Sequence, residues 1–403
     1  MLPNCVEYTK AIQNPKAAFH GLDDELIESQ PVYLANGRDI WLASGGMAVV
    51  FKMRLRSGEY RALRCFCAAP DDLQTHFAEV SKYLINHPCA DFFVPFQFKQ
   101  QGIRVNGDVH PILIMHWLEA PSLKEWIEDN LDSKQLLKLA EKFVDFCWLC
   151  NSHYIVHGDL HHENIYVVEK AGDLQLKLLD YDTLYFADKQ ANKIDVANGL
   201  PGYQHPLRYQ QTYKTKETDY FSQFAIFISL LGLAEDKMRW ITYNLQQSDS
   251  LLFTQKDFLS PKQSLVFQDL IATPSQFIKD IMHDFATICL SDDINNIYPL
   301  NKYKLNFPRI KKEIEYHLWK FHTSKSYLSG EEKNVTEPQQ DNSSHVIDSI
   351  VVEEVNVDLE KNVDCTNKNV RSSTLKQQVA SKLIWCVLFI ILLIILFIYF
   401  SNL

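Results

Sequence analysis

The chain is predicted to be an α+β protein in which a small strand-rich lobe is followed by a larger helical lobe and then by one membrane-crossing helix. Three observations carry this. Short β-branched and aromatic runs separated by Gly, Pro and Asn turn signals fill the first third of residues 1–322. Apolar residues at three- and four-residue spacing fill most of the next two thirds. The run from Leu383 to Phe400 carries no charge. With 46% apolar and 22% charged residues, the composition excludes collagen-like, disulfide-scaffold and wholly disordered chains.

The strands are predicted at Ile40 to Ala43, Val49 to Leu55, Tyr60 to Cys67, Phe92 to Gln97 and Ile112 to Met115. Residues 1–118 therefore form the first lobe with its N-terminal extension. Helices begin where Ser122 caps LKEWIEDNL and where Ser133 precedes a long run with Leu136, Leu139, Ala140, Phe143, Val144, Cys147 and Cys150 on one face. After a polar segment at 157–164 come a strand at IYVV, a hairpin at Ala171-Gly172-Asp173 and a strand at LKLLD. Further helices with caps near Ser260-Pro261 and Thr273-Pro274 complete a lobe that spans 119–322.

From 323 to 381 Ser, Asn, Glu, Asp and Lys dominate, which predicts a flexible acidic linker. The uncharged run at 383–400, at about 1.5 Å per residue, covers roughly 27 Å, a hydrocarbon core. Arg371, Lys376 and Lys382 precede it and only Ser401, Asn402 and Leu403 follow, so a single-pass, tail-anchored protein with residues 1–382 in the cytoplasm is expected. No apolar signal-peptide region stands in the first 21 residues. The net charge of −10 supplies no basic field, so nucleic acid is not an expected partner. The nine cysteines show no secreted-domain framework, and Cys147 and Cys150, despite CxxC spacing, read as buried helix residues.

The chemistry concentrates in two places. Gly45 and Gly46 sit in LASGGMAVVFK between two strand candidates, a turn where bare backbone can approach phosphate oxygens, or an ordinary hairpin. The segment His157-Gly158-Asp159-Leu160-His161-His162-Glu163-Asn164 leads to Asp180-Tyr181-Asp182 at the end of the second following strand. An Asp, an Asn five residues on and another Asp after a strand pair supply what phosphoryl transfer needs: one carboxylate to orient a hydroxyl, and two oxygen ligands for Mg²⁺. The competing reading is a transition metal on His157, His161 and His162, which leaves Asn164 and Asp180 without roles.

From about Asn36 to Leu233 these motifs, in this order, resemble the protein kinase superfamily. HGDLHHEN resembles the catalytic loop HRDxxxxN, DYD resembles DFG, and Arg64 in RALRC occupies the VAIK lysine position. GLPGYQHP resembles the end of an activation segment, and TDYFS the Asp-bearing start of the long helix after it. YTKAIQNPKAAF, RALRCF and QGIRVNG add a looser likeness to a group of bacterial kinase-like proteins. The resemblance implies a bilobal kinase-like fold, with ATP and Mg²⁺ as cofactors and a protein as substrate. It implies that Asp159 orients the substrate hydroxyl, that Asn164 and Asp180 bind Mg²⁺, and that Asp219 braces the catalytic loop. It implies that Gly45, Gly46, Val50, Ala62 and Arg64 contact the nucleotide, with Glu79 as the helical partner of Arg64. Met115 would be the gatekeeper residue, with His116 to Leu118 offering backbone groups to adenine.

Several positions depart from that pattern. Arg64 keeps the charge of a lysine but not its geometry. Ala43 and Ala48 stand for two loop glycines, Gly158 for an arginine, His161 for a lysine, Asp182 for a glycine, and Leu207 for a glutamate. Three readings follow: a membrane-tethered atypical Ser/Thr protein kinase, which is favoured; a pseudokinase scaffold at the membrane; and a small-molecule kinase of the aminoglycoside or choline type, whose loop HGDLHHEN also resembles.

Overall fold

The computed structural model describes residues 2–68, 73–190, 199–211 and 213–329, with side chains to residue 320. It opens with three short helices, α1 (Cys5–Ile12), α2 (Pro15–Ala18) and α3 (Asp24–Ile27). An antiparallel sheet follows, built from β1 (Gln30–Pro31), β2 (Leu42–Ser44), β3 (Ala48–Arg54), β4 (Tyr60–Phe66), β5 (Phe96–Val105) and β6 (Asp108–His116). Its order is β1-β3-β4-β6-β5, with β2 also paired to β3, and α4 (Leu73–Leu84) connects β4 to β5.

Strand periodicity decides what each face of this sheet does. Val49, Phe51 and Met53 of β3, Leu63 and Cys65 of β4, and Ile112 and Ile114 of β6 point to one side, where they bury Tyr8, Ile12, Phe19 and Leu26 of the N-terminal segment. The Tyr8 hydroxyl donates to the Phe66 carbonyl at 2.9 Å, so this tyrosine is satisfied inside the core. The opposite side carries the alternate residues Val50, Ala62, Arg64 and Met115: Val50 stands across from Arg64, and Ala62 from Met115. That second face is the one available to a cleft.

The chain then enters a helical lobe. α5 (Leu123–Asp129) is closed by a capping box in which Ser122 and Glu125 exchange hydrogen bonds, and α6 (Ser133–Ser152) is capped by Asp132. β7 (Ile155–Val156), β8 (Ile165–Lys170), β9 (Asp173–Leu178) and β10 (Tyr185–Phe186) form two small antiparallel pairs, β7 with β10 and β8 with β9. The β8–β9 turn falls at Ala171 and Gly172, both at positive φ, the backbone a two-residue hairpin demands. α7 (Tyr220–Glu235) is buried on every side, from Tyr220 through Ala234, and is surrounded by α6, α8 (Arg239–Thr242), α9 (Gln255–Leu259), α10 (Leu265–Ala272), α11 (Gln276–Cys289) and α12 (Asn301–Ser329). At the centre Phe285 lies nearly parallel to Phe224 and to Phe267, with ring centroids 5.9 and 5.8 Å away. Cys147 and Cys150 are buried in α6 as free thiols, and burial pushes both thiol pKa values up.

The predicted fold class needs correction. The described architecture is mixed α+β, and among the described residues no helix is long and apolar enough to cross a membrane. The run at 383–400 and most of the predicted linker lie outside the described residues. The boundary at 322 also moves, because α12 runs on to Ser329 through residues whose polar character suggested a linker. The cap predicted near Thr273-Pro274 is Ser275, which accepts from the Ile278 N–H; the one predicted near Ser260-Pro261 lies a few residues on, at Ser264, and Thr254 boxes the start of α9. The predicted strand at Phe92 starts later, at Phe96, after a 3-10 turn at Ala90–Phe92.

The segment that begins at 199 is tied to the helical lobe by two buried side chains. Tyr203 accepts a hydrogen bond from the Leu251 N–H at 2.9 Å, which leaves its own O–H to donate to His162 Nδ1 at 2.6 Å. His205 donates from Nε2 to the Ile288 carbonyl at 3.0 Å and accepts at Nδ1 from the Leu207 N–H at 3.1 Å. Both nitrogens of a neutral imidazole are thereby used. Burial pushes the His205 pKa down, more than the Ile288 bond raises it. The unfolded chain takes up a proton as pH falls below about 6.5, while the folded chain resists it, so stability is lost on acidification. His205→Gln is expected to flatten that acid loss by up to about 1.4 kcal/mol per pH unit, read from urea unfolding of both proteins between pH 7.5 and pH 5.

Candidate functional site

A cavity of about 660 Å³ lies against the free face of the sheet. Gly45, Gly46, Val50, Ala62 and Arg64 line it from the sheet, Met115, His116 and Leu118 from the strand end that leads into the helical lobe, and Asn164, Leu179 and Asp180 from the lobe itself. Trp41, Tyr166 and Asp182, none of them predicted as site residues, share the lining. Two residues predicted for the site do not line it: Asp159 sits beside Asn164, and Glu79 lies on α4.

The glycine turn closes with the Gly45 N–H donating to the Ala48 carbonyl at 2.9 Å. A Cβ at Gly45 or Gly46 would meet nothing within 4 Å, and neither residue has positive φ. Nothing inside the protein therefore demands glycine at either position; what the two glycines leave is bare backbone at the rim of the cavity.

Gly158 is different. Its φ is +84°, and a Cβ there would stand 2.9 Å from the Thr183 carbonyl oxygen. The absence of an arginine at this position thus has a steric cause. The N–H groups of His157 and Gly158 both donate to the buried Asp219 carboxylate, the second at 2.9 Å. Arg208 donates to the carbonyls of Gly158 and Thr218, and the Thr183 hydroxyl donates to the His157 carbonyl at 2.7 Å. The loop is held from both ends of its polarity, N–H groups by an anion and carbonyls by a cation.

Asn164 commits its amide nitrogen to the Asp159 carbonyl at 2.9 Å, so its oxygen end is the one a hard cation could take. Asp159 Oδ1 is buried without a hydrogen-bond partner, and its other oxygen is 3.8 Å from His161 Nε2. Burial pushes the His161 imidazole pKa down in spite of that carboxylate. A buried carboxylate oxygen with no partner costs free energy, so this one calls for a water, an ion or a ligand group as its partner.

The third oxygen donor ends β9. Asp180 has φ +64°, a left-handed conformation that a non-glycine residue rarely holds. The residue after it explains how this is maintained. Tyr181 is fully buried; its hydroxyl accepts from the Val94 N–H at 2.7 Å and reaches the Leu178 carbonyl at 2.8 Å, while its own carbonyl accepts from His76 of α4 at 2.7 Å. The tyrosine is pinned inward, which turns the carboxylates on either side of it toward Arg64.

Arg64 meets both carboxylates. Nη1 donates to Asp180 Oδ1 at 2.8 Å and Nη2 to Asp182 Oδ2 at 2.6 Å. Burial alone would raise the Asp180 pKa, but the guanidinium charge and hydrogen bond hold it below the usual carboxylate range. Asp182 goes the other way, pushed up to about 6, first by burial and then by the neighbouring Asp180 charge, against the pull of Arg64. The predicted pairing of Arg64 with Glu79 is not formed. Glu79 accepts instead from the side-chain amide of Gln190, and Asp182 occupies the second arm of the guanidinium.

The donor set fits one type of metal and not another. His157 directs Nε2 at the Leu179 carbonyl and His162 directs Nδ1 at Tyr203, so the three histidines do not converge, and among the described residues no group of three His, Cys, Asp or Glu side chains is arranged to hold a metal. The transition-metal alternative, disfavoured from the sequence because it leaves Asn164 and Asp180 without roles, gains no support from this geometry. Asn164 and Asp180 offer the one or two hard oxygen ligands that suffice for Mg²⁺ when a polyphosphate supplies the rest. No protein-family model matches the chain, and no curated protein matches it.

Proposed function

We propose that the chain is an ATP-dependent phosphotransferase, an atypical protein kinase that passes the γ-phosphoryl group to a serine or threonine hydroxyl. What carries this reading is one cavity that the Gly45–Gly46 turn, Arg64, Asn164 and Asp180 all line from separate elements. Its two sides suit the parts of a nucleotide. Val50, Ala62, Leu179 and Tyr166 offer apolar surface for a flat base, while the glycine turn and Arg64 offer N–H groups and positive charge for phosphates. Mg²⁺ held by Asn164 and Asp180 would neutralise charge on the phosphates. Asp159, next to Asn164 and with one oxygen unpartnered, would orient the attacking hydroxyl.

One observation favours a second reading, a nucleotide-responsive scaffold without transfer: the Arg64 guanidinium already occupies the Asp180 oxygen that a metal would need. Full-length protein incubated with γ-labelled ATP and Mg²⁺ decides between them, with a protein substrate and a panel of hydroxylated metabolites as acceptors. Label on the protein acceptor is the expected result. Label on a metabolite alone would make the chain a small-molecule kinase, and a Mg-ATP thermal shift with no transfer would make it a scaffold. Neither shift nor transfer would remove the nucleotide from the proposal altogether.

A further inference from the structure

Arg64, Asp180 and Asp182 leave a charge problem that points to a division of labour. One guanidinium serves two carboxylates, and one of their oxygens, Asp182 Oδ1, is buried without a partner. The two carboxylates are not equivalent. The Asp180 side chain is 43% exposed, the Asp182 side chain only 21%, and Arg64 itself 13%. The shorter contact, 2.6 Å, is the one to the more buried acid. Beyond Arg64 and Asp180, the charged group that bears on Asp182 is Lys214, which donates to the carbonyl of the adjacent Thr183.

A ligand with phosphate oxygens and a divalent cation would redistribute these bonds. Asp180 would then turn to the cation and Nη1 of Arg64 would be released, whereas Nη2 would keep its bond to the deeper Asp182. The freed arm would be aimed at the phosphate from a fixed anchor. A planar fork holds its two arms in a fixed relation, so one can stay anchored while the other is aimed; the three donors of a lysine ammonium share one nitrogen and move together. The acid on α4 is not available for the task, because Glu79 is engaged with Gln190.

Resting on the nucleotide reading above, we propose that Asp182 is the positioning residue of this site: it anchors one arm of Arg64 while the other arm exchanges between Asp180 and the phosphate oxyanion of a bound nucleoside polyphosphate. Arginine at position 64 and aspartate at position 182 are then two halves of one device. Either alone is a liability. An arginine without Asp182 would settle on Asp180 and exclude the cation, and an aspartate without Arg64 would be a buried charge with no partner.

The test is a double-mutant cycle on Mg-ATP affinity, measured by calorimetry on full-length wild type, Asp182→Asn, Arg64→Gln and the double variant, with Mg²⁺ titrated separately and melting temperatures recorded beside each. Asp182→Asn is expected to weaken Mg-ATP about tenfold and to raise the Mg²⁺ concentration required, because an unanchored guanidinium competes for Asp180. In the Arg64→Gln background the Asp182 change is expected to have no further effect on affinity. Losses that add, or an Asp182→Asn protein that binds like wild type, would overturn the proposal while leaving the nucleotide site standing. Wild type that binds no nucleotide would overturn the site, and the proposal with it.

Discussion

Under the phosphotransferase reading, Asp180→Asn is expected to abolish Mg²⁺-dependent phosphate transfer, by at least about 10³-fold, while leaving the folded protein intact. The substitution is nearly isosteric and the side chain is 43% exposed, so the surrounding structure has little to readjust. What changes is charge. The introduced carboxamide could still offer its carbonyl oxygen to Arg64 Nη1, but it supplies no anion to hold a cation on the nucleotide phosphates. With that neighbour neutral, Asp182 is the sole anion on the guanidinium, which removes the repulsion that contributes to its raised pKa. Under the phosphotransferase reading, ATP should bind this variant with little dependence on Mg²⁺. Asp159→Asn makes the contrast, since Asp159 is outside the cavity lining and is assigned to the hydroxyl: it should lose transfer and keep Mg²⁺-dependent ATP binding. Parallel transfer and binding measurements on the two variants check this. Equal behaviour of the two would mean that the two carboxylates do not have separate tasks.

What could be read from the sequence, and what could not, divides along the distance between interacting residues. The two-residue period of β3, β4 and β6 sorts Val50, Ala62, Arg64 and Met115 onto one face without knowledge of anything else. Ser122 and the Ala171–Gly172 turn are equally local, since a cap or a hairpin is decided within four residues. The partner of Arg64 is not local. Asp180 and Asp182 lie 116 and 118 residues away, and the competing carboxylate, Glu79, is removed from contention by Gln190, 111 residues from it. No pattern near any of these residues reports that outcome. α1 to α3 carry part of their signal locally, since Asn4 and Glu7 box the start of α1 and Asp23 caps α3, but segments of 8, 4 and 4 residues are too short to hold a helix by themselves and depend on burial against the sheet. In β5 a register shift between Lys99 and Ile103 breaks the alternation that would have extended the predicted strand. One signal does stand in the sequence: an acid two residues beyond Asp180, combined with arginine at position 64, is a matched pair of departures.

Asp219→Ala is expected to lower the unfolding free energy by about 4 kcal/mol, measured by urea unfolding of the full-length protein. Asp219 occupies the residue before α7, where an aspartate ordinarily caps its own helix, yet its side chain makes no capping bond there. It is turned instead to the loop at 157–158 and accepts both of that loop's consecutive N–H groups. Burial raises its pKa, and the pull of His157, the two N–H bonds and Arg208 opposes that rise only in part, so these partners reduce the cost of burying the carboxylate without cancelling it. Alanine would leave two buried N–H groups unpaired, each costing about 1–3 kcal/mol, and would also remove a negative charge that acts on Arg208. Asparagine should recover only part of the loss, because its oxygen can accept one N–H while its amide nitrogen would face the other. The damage should also be directional. Gly158 precedes Asp159, whose carbonyl anchors Asn164, so releasing the loop should loosen both of these oxygen donors before the rest of the helical lobe responds. Amide exchange that quickens first at 157–164 in the Asp219→Asn protein would show that this side chain's function is to hold the loop; uniform quickening across α6 and α7 would show that it only holds the lobe together.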